Sequence, residues 1–316
     1  MKIAIIGAGL AGTHLYSLLK KEKHTVTIFE KSRGAGGRCS TRYINNFKLD
    51  HGTPFFKTND KQFEKFCEVK VDKNILNKKK NTYYPTNGIN KLCSSSLESD
   101  DFIKNTKIVS CKYENNLWNL KDQNRVKYEN FEKLIITIPA SQVLELELNI
   151  EQKTKEQLSK VTYDSIATLM IYSNTKEQID ESKLMESGIF KKIINNSSKY
   201  DYDDFSSYIL HLQPTLTNEQ KFGNKEQVER FILEKAYQIS GVNLKENFNT
   251  VPHFWKYGFV SSFLEVPYIY DKKNSLGFCG DYFMGEDLQS AFKSSQKLFE
   301  EKLQYAINLT IKNKIG

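Results

Sequence analysis

The pattern of apolar and polar residues changes period twice near the beginning of the chain. An apolar run over residues 2–6 ends in the glycine-rich segment Gly7-Ala8-Gly9-Leu10-Ala11-Gly12. Apolar residues then recur at helical spacing over residues 10–21, and a β-rich run over 25–29 ends in Glu30. The pattern predicts a strand, a glycine turn, a helix and a second strand, which together form a βαβ unit.

The glycine spacing is typical of a dinucleotide-binding turn. Gly7 permits the tight turn, Gly9 lets the backbone approach a pyrophosphate, and Gly12 lets the helix pack closely on the strands. The free N–H groups at the helix start, Leu10 and Ala11, would then bind the phosphates with the help of the helix dipole. We therefore predict that these residues bind a cofactor.

Glu30 lies at the end of the second strand, where a carboxylate can accept hydrogen bonds from both hydroxyls of an adenosine ribose. With the strands, the helix and the acid all in place, a dinucleotide site is favoured over a purely structural glycine turn. These residues leave NAD and FAD open as alternatives.

Periodicity further along the chain predicts short strands at 107–113, 117–120, 126–128 and 134–138. From about residue 151 to 268 the pattern changes, with strands expected at 166–172, 189–195 and 206–213 before a helix at 225–240. This mixture predicts a second, α+β domain. Near the C-terminus an apolar strand over 276–279 is followed by a helix whose apolar face comprises Leu288, Ala291, Phe292, Ser295, Leu298, Phe299 and Ala306.

Composition excludes several classes of protein. The 316 residues are 39% hydrophobic and 27% charged, which is typical of a globular protein of about two domains. The net charge of +8 comes from lysines interleaved with acids, with only Lys78 to Lys80 as a compact run, so we predict no nucleic-acid partner. No apolar stretch approaches the roughly 20 residues that span a bilayer, which predicts a soluble protein with no membrane partner.

Five widely spaced cysteines without a Cys-x-x-Cys pair suggest neither a disulfide framework nor a zinc site. We therefore predict no metal and a reducing, cytoplasmic location.

Three segments carry a resemblance to a known family. Lys31-Ser32-Arg33-Gly34-Ala35-Gly36-Gly37-Arg38 resembles the glycine-doublet motif of amine-oxidase-like flavoproteins. Leu49-Asp50-His51-Gly52-Thr53-Pro54-Phe55-Phe56 is similar to the Asp-x-Gly-Ala-x-Tyr-Phe segment of the renalase family, with Thr53 in place of alanine. Together with Asn195-Asn196-Ser197-Ser198-Lys199, these segments give the chain a resemblance to the renalase-like branch of FAD-dependent proteins.

The resemblance implies noncovalent FAD. It implies that Gly37 and Arg38 meet the diphosphate beside Lys31, that the backbone at Gly52 and Thr53 borders the flavin, and that Val109 faces the adenine. Gly280 and Asp281 would form the second flavin signature, in which the aspartate bonds a ribitol hydroxyl and the helix beginning near Leu288 directs its dipole at the flavin. One departure is Gly285-Glu286-Asp287-Leu288-Gln289-Ser290, where relatives usually carry Gly-Arg-Val-Glu-Gly.

The resemblance also implies an oxidoreductase that transfers hydride from a small-molecule donor to flavin and then to O2, giving hydrogen peroxide. In this family the donors are aberrant dihydro isomers of NAD(P), so a dihydronicotinamide nucleotide is the expected substrate. A flavin amine oxidase, a desaturase and a noncatalytic flavoprotein are alternatives.

No catalytic residue is assigned, because the flavin performs the chemistry. Lys199, His211, Trp255 and Tyr257 are pocket candidates, although aromatic residues of this kind also form cores and Lys199 could be solvated. His51 could be a base by residue type, but a structural or solvent-facing imidazole is the favoured interpretation.

The expected fold class is α/β, with a Rossmann-type FAD-binding domain of the glutathione-reductase/p-hydroxybenzoate-hydroxylase-like kind and a second α+β substrate domain. We expect residues 1–60, 88–148 and 270–316 to form the FAD-binding domain, and residues 61–87 and 149–269 to form the substrate domain.

Overall fold

A computed structural model of the protein describes residues 1–304. Ala306, expected on the apolar face of the last helix, lies outside the described residues. The strands in chain order are β1 (Lys2–Ile6), β2 (Thr25–Phe29), β3 (Thr41–Ile44), β4 (Phe47–Asp50), β5 (Leu76–Lys79), β6 (Thr82–Pro85), β7 (Phe102–Ile103), β8 (Ile108–Glu114), β9 (Leu117–Asp122), β10 (Lys127–Phe131), β11 (Lys133–Ile136), β12 (Glu147–Leu148), β13 (Thr162–Ser173), β14 (Phe190–Asn195), β15 (Ser206–Leu212), β16 (Asn249–Ser262), β17 (Ile269–Asp271) and β18 (Leu276–Phe278).

The helices alternate with these strands, as expected for an α/β protein. They are α1 (Leu10–Lys21), α2 (Lys61–Asp72), α3 (Lys91–Ser94), α4 (Ala140–Leu144), α5 (Gln152–Ser159), α6 (Glu181–Glu186), α7 (Asn196–Tyr200), α8 (Pro214–Gln220), α9 (Lys225–Ser240), α10 (Leu244–Asn247) and α11 (Leu288–Leu298). Short 3-10 turns lie at Ser99–Asp101 and Asp281–Phe283, and a π-helical turn at Phe299–Leu303 follows α11. No helix in the part of the chain described here has the length and apolar character to cross a bilayer.

The largest sheet has six strands in the order β17-β18-β11-β1-β2-β7. All neighbouring strands are parallel except β17 and β18. Because β18 lies beside β11, the C-terminal strand joins the sheet that the N-terminal strand begins. The residues that follow β1, β2 and β18 therefore meet at one carboxyl edge, which is where open α/β sheets bind ligands.

Alternate residues of β1 enter two different cores. Ile3 and Ile5 pack on one face with α1, α2 and α11. Ala4 and Ile6 pack on the other face with a smaller sheet of order β10-β9-β8-β12, whose Trp118 is buried there. Burial on both faces is the usual condition of a parallel sheet and explains why residues 3–6 of β1 are all apolar.

A four-stranded antiparallel sheet of order β14-β15-β13-β16 lies in the predicted substrate domain, and it is called the substrate sheet below. One face packs on α9, a helix that begins at the side-chain cap of Asn224 and ends at Gly241 in a left-handed conformation. The other face packs on the β3–β4 hairpin through Phe47 and Leu49. The predicted fold class is confirmed.

Segment 61–87 differs in its packing from the expected division. Phe63 and Cys67 of α2, with Leu76 and Tyr83 of the β5–β6 hairpin, lie in the same core as β1 and α1. This packing favours its inclusion in the dinucleotide-binding unit, and the other domain bounds stay predictions.

Candidate functional site

The glycine turn after β1 leaves open space at the start of α1. Gly7 has φ of +108°, and a Cβ on Gly12 would lie 2.0 Å from the Gly7 carbonyl oxygen. A Cβ on Gly9, in contrast, would have nothing within 4 Å. Gly9 is the N-cap of α1 and offers no side-chain cap, so the N–H groups of the first turn face this space. Leu10 and Ala11 are buried on the other side.

The Glu30 carboxylate lies against this turn. One oxygen accepts a hydrogen bond from the Ala8 N–H at 3.0 Å and the other accepts from the Ser32 N–H at 2.8 Å. The side chain is thus held at the end of β2, where we expect the adenosine ribose.

The glycine-doublet loop runs beside the glycine turn. The Gly36 N–H donates to the Ala8 carbonyl at 2.9 Å, and Gly9 and Gly36 form a parallel β-bridge. Gly36 and Gly37 have φ of +141° and +56°, and a Cβ on Gly37 would be 3.4 Å from the Gly9 Cα. Only glycine combines these backbone angles with so close an approach.

Arg38 and Asp281 form an ion pair between the two predicted cofactor signatures. Arg38 Nη2 lies 2.7 and 2.6 Å from the two Asp281 carboxylate oxygens. Burial opposes the charged guanidinium, but the Asp281 carboxylate outweighs this effect, and the pKa of Arg38 is raised. Sequence reasoning assigned each residue separately to the cofactor and did not predict the pair.

The Gly52-Thr53 segment packs on the backbone of Arg38. A Cβ on Gly52 would lie 2.0 Å from the Arg38 carbonyl oxygen, and that oxygen accepts a hydrogen bond from the Thr53 N–H at 2.9 Å. The structure therefore brings Gly9, Gly37, Arg38 and Gly52-Thr53, all within the first 53 residues, together with Asp281 near the end of the described chain.

Two tyrosines extend this group from the substrate sheet. The rings of Tyr163 and Tyr257 meet edge to face at 5.3 Å, and the Tyr163 hydroxyl accepts a hydrogen bond from the Ala140 N–H at 2.9 Å. Burial, followed by the negative charge of Asp281, raises the pKa of Tyr163. Tyr163 was missed by sequence reasoning, because it lies in a polar run before the predicted strand at 166–172 and belongs to no recognisable motif.

His211 and Trp255 lie on the substrate sheet and contact His51, the residue before the Gly52-Thr53 segment that is expected to border the flavin. Both donate hydrogen bonds to the backbone carbonyl oxygen of His51, at 3.0 and 3.1 Å. His51 itself is buried and follows β4, so its solvent-facing interpretation is wrong. Burial lowers the pKa of His51 and of His211 to about 4, and both imidazoles are therefore neutral at pH 7.

Lys199 is not solvated, because its side chain is only 4% exposed and forms an ion pair with the fully buried Asp50. Asp50 also accepts hydrogen bonds from the hydroxyls of Tyr200 and Thr41 and from the Ile89 N–H. Burial exceeds the effect of Asp50 and lowers the pKa of Lys199. This cluster joins α7, which directly follows β14, to β4.

A groove of about 500 Å³ opens beside this cluster. Phe55 and Tyr84 form an aromatic wall, with ring centroids 5.5 Å apart, and Lys192 Nζ lies 3.9 Å from the Phe55 centroid. Lys48 and Lys79 line the groove together with Asp201, and Lys192 lies beside it through its contact with Phe55. None of these three lysines forms an ion pair within residues 1–304, and Asp201 is the one acid among the lining residues, so the groove carries more positive than negative charge.

The remaining predicted site residues lie outside the group formed by the glycine motifs and Asp281, or next to it. Lys31 is exposed and donates to Gln142 at 3.1 Å, Val109 is half-buried in β8, and Leu288 begins α11 after its N-cap, Asp287. Gly280 precedes Asp281 and donates its N–H to the Ser294 hydroxyl at 3.0 Å. Within residues 1–304, no group of three or more His, Cys, Asp or Glu is arranged to hold a metal ion.

These residues fit an FAD molecule. The open space at Gly9 faces free N–H groups, as a diphosphate requires, and Glu30 lies where a ribose is held. The Arg38–Asp281 pair and the Gly52-Thr53 backbone lie between this space and the substrate sheet.

Comparison with known proteins places the chain among dinucleotide-binding folds. The family model described as an NAD(P)-binding Rossmann-like domain matches residues 5–68. A 1-hydroxycarotenoid 3,4-desaturase of Flavobacterium sp. (strain P99-3) is 23% identical over 242 residues, which cover 75% of this chain and 48% of that protein. A 4,4'-diapophytoene desaturase of Staphylococcus haemolyticus is 34% identical over 80 residues, 22% of this chain and 16% of that protein. The chain thus spans about half the length of the first relative and less of the second.

Solved structures with this fold include a putative protoporphyrinogen oxidase from Exiguobacterium sp. 255-15, with a TM-score of 0.71 and 10% identity over 95% of this chain and 98% of that one. A putrescine oxidase bound to putrescine has a TM-score of 0.66 and 10% identity over 96% and 99% of the two chains. The predicted oxidoreductase class agrees with these relatives, and at this identity the solved structures establish the fold alone.

Alanine substitutions of Gly9 and Gly12 offer a matched test of the predicted diphosphate site at the start of α1. Gly9→Ala should leave the free energy of unfolding within about 0.5 kcal/mol of wild type, because its Cβ enters open space. The same methyl group would separate the helix N–H groups from a diphosphate, so FAD affinity should fall about tenfold or more. Gly12→Ala should instead cost about 3 kcal/mol of stability. Urea unfolding and FAD titration of both apoproteins test this, and a Gly9→Ala protein with wild-type FAD affinity would contradict it.

The buried imidazoles predict an acid-sensitive fold. His51 and His211 have pKa values lowered by burial from 6.5 to about 4, so the unfolded state takes up protons that the folded state does not. Their contribution is fully present above pH 6.5 and is lost as the pH falls toward 4, with up to about 1.4 kcal/mol per pH unit for each group. Urea unfolding at stepped pH should show this slope, and His211→Gln should reduce it. An equally steep slope in that variant would refute the assignment.

Proposed function

We propose that this protein is an FAD-dependent oxidoreductase that removes a hydride from a small organic donor. The observation that carries the proposal is the convergence of the glycine turn, the glycine-doublet loop, the Gly52-Thr53 segment and Asp281 at one edge of the sheet. The curated desaturase relatives support the same class of chemistry.

Each part of the edge has a distinct proposed role. The first turn of α1 binds the diphosphate, Glu30 holds the adenosine ribose, and Asp281 accepts a ribitol hydrogen bond while Arg38 fixes its position. Bound noncovalently, FAD would supply hydride acceptance from the donor and passage of the electrons to dioxygen, giving hydrogen peroxide. The Tyr163–Tyr257 pair closes the edge from the substrate sheet and excludes water.

The electropositive groove favours an anionic, ring-bearing donor. Lys48 and Lys79 line the groove without an ion-pair partner among the described residues, Lys192 lies beside it, and Phe55 lies two residues after Thr53 in the chain. Burial, followed by the like charges of Lys199 and Lys191, lowers the pKa of Lys192, so an anion bound here would be favoured. A dihydronicotinamide nucleotide, the donor class of renalase-like proteins, combines a flat ring with phosphates and is our proposed substrate.

A desaturase of an apolar donor is the second candidate. It is favoured by the 1-hydroxycarotenoid 3,4-desaturase, which matches 75% of the chain. The lysines of the groove are unsuited to a hydrocarbon, since burying an unpaired ammonium in apolar surroundings is costly.

Anaerobic mixing with a panel of donors separates these functions. The FAD-loaded protein should lose its yellow absorbance with a dihydro isomer of NAD(P), keep it with amines and with a carotenoid dispersed in detergent, and recover it on admission of air with release of hydrogen peroxide. Lys48→Ala with Lys79→Ala should raise the KM for the nucleotide with little change in kcat, because these lysines are assigned to binding. Bleaching by the carotenoid alone would support the desaturase, and bleaching by no donor would contradict both proposals.

A further inference from the structure

Two donors from the substrate sheet converge on one backbone oxygen. His211 Nε2 of β15 lies 3.0 Å from the His51 carbonyl oxygen, and Trp255 Nε1 of β16 lies 3.1 Å from it. Because a carbonyl oxygen only accepts, the His211 proton is assigned to Nε2. This oxygen uses both of its lone pairs on side chains of the substrate domain.

The His51 side chain is held as firmly as its carbonyl. Its ring stacks on Trp255 with centroids 5.3 Å apart and an interplanar angle of 26°, and it meets the edge of His253 at 4.8 Å. The His51 Nδ1 atom lies 3.2 Å from the Leu49 carbonyl oxygen. Only 4% of the His51 surface is exposed, so the ring is enclosed by these neighbours.

The hydrogen-bonded His51 carbonyl is directly adjacent to the Gly52-Thr53 segment, which we expect to border the flavin. The His51 carbonyl belongs to the peptide that joins His51 to Gly52. Gly52 contacts the Arg38 backbone, and Thr53 donates its N–H to the Arg38 carbonyl at 2.9 Å. The Gly52-Thr53 segment is therefore fixed by the substrate sheet on one side and by the glycine-doublet loop on the other.

We propose that His211 and Trp255 are positioning residues that act through the His51 carbonyl. They set the distance of the Gly52-Thr53 backbone from the flavin, so the substrate domain determines the shape of the cofactor edge. This inference rests on the proposed function, because it assigns the two residues to the same FAD site.

The two tryptophans of the chain provide a matched test. Trp118 also donates its indole N–H to a backbone carbonyl, that of Asn274 at 2.8 Å, but it does so in the core beneath the small β10-β9-β8-β12 sheet. Trp255→Phe and Trp118→Phe therefore each remove one hydrogen bond from an indole N–H to a backbone carbonyl oxygen, at two different places in the fold. We expect Trp255→Phe to weaken FAD binding about three- to tenfold and to shift the visible flavin absorption band. Trp118→Phe should lower the melting temperature without changing either property.

Substitutions of His211 supply a second, independent test. His211→Leu removes the donor, whereas the side-chain amide of His211→Gln can still donate to the His51 oxygen. We expect the flavin spectrum and FAD affinity to change in the Leu variant and to return toward wild type in the Gln variant. A role in packing alone would not produce this rescue, because Gln fills the site no better than Leu.

The outcomes separate this inference from the proposed function. A wild-type chain that binds no FAD would overturn both. Normal FAD binding by the wild type, with unchanged affinity and spectrum in Trp255→Phe and His211→Leu, would overturn the positioning role and leave the proposed function standing. Loss of folding in Trp255→Phe would transfer the decision to the His211 pair.

Discussion

The ion pair between Arg38 and Asp281 is the contact on which the arrangement of the site depends. It joins residues 243 positions apart, and the Asp281 side chain is only 7% exposed. Removing one partner of such a pair typically costs about 3–5 kcal/mol, because the other charge is left buried and uncompensated. The pair can form only if β18 lies in the same sheet as β1 and β2, so the sheet order and the site are linked.

The short segment Asp50-His51-Gly52-Thr53 links the substrate sheet to the backbone of Arg38 in this ion pair. Its first residue binds Lys199, its second is held by His211 and Trp255, and its last donates to the Arg38 carbonyl. Each contact satisfies a buried polar group, which would otherwise destabilise the fold. The segment is thus hydrogen-bonded both to the substrate sheet and to the glycine-doublet loop of the dinucleotide-binding unit.

The glycine turn and helix α9 could be predicted from the sequence, because each depends on residues close together in the chain. The glycine turn could be recognised because backbone angles and close packing demand glycine at Gly7 and Gly12, and α9 was predicted because its apolar period and its end at Gly241 are local properties. The Arg38–Asp281 pair, the Asp50–Lys199 pair and the place of Tyr163 could not be predicted. Each depends on which distant strands become neighbours, and nothing in the sequence near these residues specifies that pairing.

Hydrogen exchange of the backbone amides, measured with and without FAD, shows whether the N-terminal glycine motifs and Asp281 bind the same FAD molecule. We expect FAD to slow exchange together in the peptides that contain Gly9, Gly37, Thr53 and Asp281, while exchange in α9 stays unchanged. Protection confined to the glycine turn, with the Asp281 peptide unaffected, would mean that the segment after β18 takes no part in the site and would refute a shared cofactor.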